Sequence, residues 1–102
     1  MDISHLICVA ATALSIFPNS DTVCKHINVV VEETEKNDID PTLLVSLIAV
    51  ESNWKSHVVS HANACGLTQV LPKYTKKYGG KDRNLTCDEL KDPNTSIRVG
   101  AK

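Results

Sequence analysis

The sequence predicts a mainly α fold, and three observations carry that prediction. Asp40-Pro41 and Asp92-Pro93 each set a side-chain acceptor before a proline, the order of an N-cap and a first helical residue. Apolar residues recur three and four positions apart after Asp21 and again after Pro41. No two runs alternate with a period of two across a turn, so no hairpin is indicated. The 102 residues suffice for one domain with a single core.

In chain order, residues 3–16 are an apolar run read as a first helix, stopped by Phe17-Pro18-Asn19-Ser20. Residues 6–17 also fit the h-region of a secretory signal. Asp2 and His5 stand where Lys or Arg is expected, however, and the buried helix is favoured. Residues 1–20 are thus set apart from a domain over 21–102. Ser20 or Asp21 caps a second helix with Val23, Ile27, Val30 and Val31 as its buried stripe, closed by Asn37-Asp38. Val29-Val30-Val31 also suits a strand, but a lone strand has no partner here. A third helix runs from about Pro41 to Asn53, with Trp54 read as a core anchor for its end. Residues 57–65 are a structured loop, and residues 66–72 one helical turn ended by proline. Residues 81–92 are a polar loop carrying an Asn84-Leu85-Thr86 sequon, read as a chance match. A last amphipathic helix opens at Pro93 with Ile97, Gly100 and Ala101.

Net charge is −1, but it is unevenly spread. Residues 1–54 hold eight acids against two bases, and residues 55–102 hold nine bases against four acids. Lys73, Lys76, Lys77 and Lys81 read as a solvated face rather than a nucleic-acid surface, because no stacking aromatics or known module accompany them. No segment reaches the roughly 18 apolar residues of a membrane span. Cys8, Cys24, Cys65 and Cys87 are too widely spaced for a zinc knuckle. Two disulfides are possible, with Cys65–Cys87 favoured because both flank loops; buried free thiols are the alternative. His26, His57 and His61 show no ligand spacing, so neither metal nor cofactor is expected.

One residue stands out chemically. Glu51 follows Leu44 by seven positions and Leu47 by four, on the face read as buried with Leu43 and Ile48. Burial and the negative end of the helix dipole would both favour the protonated carboxyl there, as a general acid requires. The bland alternative is a helix-end carboxylate reaching solvent.

Glu51-Ser52 at a helix end is followed by Ser60-His61-Ala62-Asn63-Ala64-Cys65-Gly66-Leu67-Thr68-Gln69 and then Pro72. This spaced set resembles the soluble lytic transglycosylase domain, a lysozyme-like helical fold related to goose-type lysozymes. Asn63 stands for a usual glycine and Thr68 for a usual methionine. The resemblance covers roughly residues 23–102, with Asp40-Pro41 and Asp92-Pro93 also in register. It implies cleavage of the β-1,4 bond between N-acetylmuramic acid and N-acetylglucosamine in peptidoglycan glycan strands. Glu51 would be the single catalytic acid and base, with the substrate's C6 hydroxyl attacking to leave a 1,6-anhydromuramoyl end. Ser60 and Gln69 would line the cleft, and Thr68 would shape a smaller, more polar subsite. For Ser60 and Gln69 a purely structural role stays open. In the family the chain continues past the position of Lys102 into a segment whose tyrosine faces the glutamate, so the C-terminal part of the domain reads as missing. The implied location is secreted, periplasmic or on a phage virion. The competing readings are a goose-type hydrolase using Asp82 or Glu89, and a non-catalytic glycan-binding remnant.

Overall fold

The computed structural model describes residues 7–8, 20–77 and 82–102. Ile7 and Cys8 are helical; the rest of the first-helix reading lies outside the described residues. Among the described residues four α-helices follow, α1 (Ser20–Lys36), α2 (Pro41–Ser52), α3 (Cys87–Leu90) and α4 (Pro93–Gly100), and a 3-10 turn at Pro72–Tyr74 begins at the proline that was read as ending a helical turn over 66–72. Among the described residues β pairing is limited to isolated bridges, Val59 with Cys65 and Cys65 with Val70. The mainly α expectation therefore holds.

The two Asp-Pro caps form as the sequence implies, whereas Ser20 and Asp21, read as capping the second helix, lie within α1. Asp40 accepts the amide N–H of Thr42 at 2.9 Å ahead of Pro41. Asp92 does the same for Thr95 at 3.0 Å ahead of Pro93. Thr86 and Glu89 form a reciprocal capping box on α3, a helix that sequence patterning does not reveal because it is only four residues long. On α1, Val23, Ile27, Val30 and Val31 all turn inward. They pack with Leu44, Val45 and Ile48 of α2 and with Ile97 of α4. Trp54 fills the same core at 2% exposure. A smaller cluster of Cys65, Leu85, Leu90 and Val99 lies beside it.

Two disulfides reinforce this frame. Cys65–Cys87 ties the central loop to the start of α3, as favoured from sequence, and Cys8–Cys24 pins the N-terminal helical residues to α1. Glu33, at 4% exposure, is paired across 65 residues with the Nε of Arg98 at 3.2 Å, and with Lys36 at 3.6 Å. A carboxylate this buried needs a cation, and the pair locks α1 to α4.

Candidate functional site

The site is built where α2 ends. α2 is apolar on nearly every side, so hydropathy offers two stripes. The structure buries Leu44, Val45, Ile48 and Ser52. The other stripe, Leu43, Leu47, Val50 and Glu51, faces outward, with Leu43 at 64% and Val50 at 82% exposure. Placing Glu51 on the buried face is therefore corrected: its carboxyl is exposed, flanked along its helix by uncovered apolar side chains. The physical reason lies in its neighbour. Ser52 enters the interior cheaply, because its hydroxyl meets the Leu67 carbonyl at 2.7 Å and the Ile48 carbonyl at 3.2 Å. A carboxylate in that place would need a cation.

The Ser52–Leu67 bond latches the Glu51 helix to the turn of residues 66–69. Asn53 then caps the helix in the left-handed region, and Trp54 is also left-handed (φ 53° and 58°), which turns the chain sharply away. Two such residues in succession store strain of order 1–3 kcal/mol each. The buried indole of Trp54 holds the second in place.

The turn itself is a knot of short bonds. Cys65 and Val70 exchange backbone bonds at 3.0 and 3.3 Å, and the Gly66 amide donates to Val58 at 3.0 Å. Gly66 sits at φ 81°, where a Cβ would drive into the Leu90 carbonyl, so glycine is required. Gln69 adopts φ 53° and donates its side-chain Nε2 to the carbonyls of Val58 and Gly66, each at 2.9 Å. Its Oε1 is left as an acceptor. Ser60 Oγ accepts the amides of Ala62 (3.2 Å) and Ala64 (3.1 Å), closing its own loop and leaving its hydroxyl proton uncommitted by those bonds. Asn63, the departure from glycine, lies at φ 67°, a left-handed position that asparagine tolerates better than most. Thr68 points inward: its amide reaches Ser96 Oγ at 3.1 Å and its hydroxyl the Ser96 carbonyl at 2.9 Å. Gly100 lets α4 approach that close, since a Cβ there would lie 2.5 Å from Thr68 Cγ2.

The structure thus brings Gln69 beside the segment leading to Ser60, and latches their turn to the helix of Glu51. Thr68 is placed against α4. Ser52, met in the sequence only as part of the Glu51-Ser52 pair, and Ser96, not singled out there, hold this arrangement. Ser52 carried a signal in its fixed place after Glu51; Ser96, 28 residues from its partner, carried none. Glu89 is held well down, at about 2, by the Arg83 guanidinium and the Thr86 amide, so its carboxylate is already committed. Among the described residues no group of His, Cys, Asp and Glu could hold a metal ion.

A family model described as Transglycosylase SLT domain matches residues 28–102. The chain is 28% identical over 98 residues to a membrane-bound lytic murein transglycosylase C of Salmonella typhi, covering 90% of this chain and 27% of that protein. It is 30% identical over 77 residues to a membrane-bound lytic murein transglycosylase E of Buchnera aphidicola, covering 72% of this chain and 35% of that protein. The chain therefore spans about a quarter to a third of the length of these curated relatives. With the match running unbroken through the Glu51 helix, the knotted turn and α4, the chain belongs to the transglycosylase SLT domain family.

Proposed function

We propose that this chain is a peptidoglycan lytic transglycosylase domain in which Glu51 is the sole acid and base. The observation that carries the reading is the exposed carboxyl of Glu51 at the end of α2, set in an apolar stripe and latched through Ser52 to the turn of Gln69. A sugar ring laid along Leu47 and Val50 would shield that carboxyl from water. Glu51 then protonates the glycosidic oxygen between N-acetylmuramic acid and N-acetylglucosamine as the bond breaks. The resulting carboxylate takes the proton of the muramoyl C6 hydroxyl as that oxygen bonds to the anomeric carbon. The product is a 1,6-anhydromuramoyl end, with no water consumed. Gln69 Oε1 accepts from an acetamido N–H, and the Ser60 hydroxyl donates nearby.

A goose-type hydrolase instead needs a second carboxylate to position water. Glu89 is held by Arg83 and its capping box, which disfavours it for that part. Two disulfides suit an oxidising compartment, hence a periplasmic, secreted or virion-borne setting. Among the described residues no helix is long and apolar enough to cross a membrane.

Mass spectrometry of digested peptidoglycan tests the reading. Anhydro ends are expected from the wild type, and Glu51→Gln should lower turnover by about 10²-fold or more. Reducing ends would point to the hydrolase. Glycan bound but left intact by both proteins would leave only a binding role.

A further inference from the structure

A second concavity lies off the Glu51 stripe, and nothing in the proposed reaction uses it. It is a cavity of about 460 Å³ between α1, the segment after α2 and the start of α4. Lys25 and His26 line it from α1, and Trp54, Lys55, Ser56 and His57 from the segment after α2. No carboxylate is among its lining residues. The acid that acts on His26 is Asp92, whose carboxylate is engaged in capping α4 through Thr95. Among the described residues neither lysine is paired with an acid. Trp54 is 2% exposed, and its Nε1–H is buried without an acceptor. The wall therefore combines two cations, two imidazoles and the hydroxyls of Thr22 and Ser56, backed by the buried indole of Trp54. Such a donor set suits an acceptor-only ligand group.

Trp54 follows Glu51 by three residues, so their Cα atoms are at most about 11 Å apart.

We propose that this cavity binds a free carboxylate of the stem peptide carried by the peptidoglycan substrate. The assignment rests on the reading of peptidoglycan as substrate. Lys25 and Lys55 would pair with the carboxylate, while Ser56 and the imidazoles would donate hydrogen bonds. His26 is held below the usual imidazole range by its burial and by Lys25, opposed by Asp92. A bound anion would offset both depressing influences and draw a proton onto it.

The test titrates Glu51→Gln protein, which does not consume substrate, with two soluble muropeptides differing only in whether the stem carboxylates are free or amidated. Calorimetry reads affinity, and NMR reads the His26 titration. The free-acid form is expected to bind about tenfold tighter and to raise the His26 midpoint. Lys25→Glu with Lys55→Glu should erase the preference, whereas Lys76→Glu should keep it. Equal affinity for the two muropeptides would overturn the assignment. So would a His26 response to inorganic phosphate matching that to the free acid, since that would mark a general anion site. Absence of cleavage of peptide-free glycan by the wild type would count against the proposed reaction alone, so the two failures are distinguishable.

Discussion

At the scale of single residues, the turn near Glu51 depends on backbone conformations that few side chains accept. Asn63, at φ 67°, stands where the family favours glycine, and the structure supplies the reason. Replacing it by alanine should cost about 1 kcal/mol, the penalty of the left-handed region for a residue with a Cβ and no local side-chain bond. Asn63→Gly should be close to neutral in urea unfolding. Gly66→Ala combines the same penalty at φ 81° with a collision against the Leu90 carbonyl. It should destabilise by about 2 kcal/mol or more. Retention of wild-type stability by Gly66→Ala would contradict so close an approach of α3 to this turn.

At the scale of elements, the site is a joint between a helix end and a knotted turn. Ser52 and Leu67 join them on one side, and Thr68 and Ser96 join the turn to α4 on the other. Ser52→Ala leaves the Leu67 carbonyl buried without its donor, which should cost about 1–3 kcal/mol. Because the same bond fixes the end of α2, turnover should fall in Ser52→Ala even at temperatures where the fold is intact. The outward stripe of α2 makes the opposite expectation. Val50 is 82% exposed, so Val50→Ser should change stability by no more than about 0.5 kcal/mol. If the glycan lies along that stripe, however, its binding should weaken. Unchanged glycan affinity in Val50→Ser would place the sugar elsewhere.

For the whole molecule, two cross-links and a few long-range polar contacts close a small core. The disulfides span sequence separations of 16 and 22. On the loop-closure account each contributes about 3 kcal/mol through the unfolded chain. Reduction of both should lower Tm by more than about 10 °C, as read by calorimetry with and without reductant. Acid should act through the exposed Arg83–Glu89 pair. Its carboxyl is lowered from 4.5 to about 2 in the folded chain, so its stabilisation is complete above pH 4.5 and lost as pH falls toward 2. The Tm difference between wild type and Glu89→Gln should therefore hold steady above pH 4.5 and shrink below it. Its size should be small and salt-sensitive, because both side chains are in contact with solvent.

What the sequence determined by itself was whatever rests on neighbours along the chain. The Asp-Pro caps and the Val23–Val31 stripe are local patterns, and local geometry realises them directly. The Cys65–Cys87 link was favoured from its flanking loops and is formed. Tertiary structure alone decided which side of α2 is covered. An all-apolar helix leaves that choice to its surroundings, and the Ser52–Leu67 bond settles it with Glu51 outward. The Glu33–Arg98 lock, the Thr68–Ser96 seam and the basic cavity beside Trp54 are likewise beyond sequence reach. Each joins residues far apart in the chain, and only the packing of α1 and α4 about the core brings them within bonding distance.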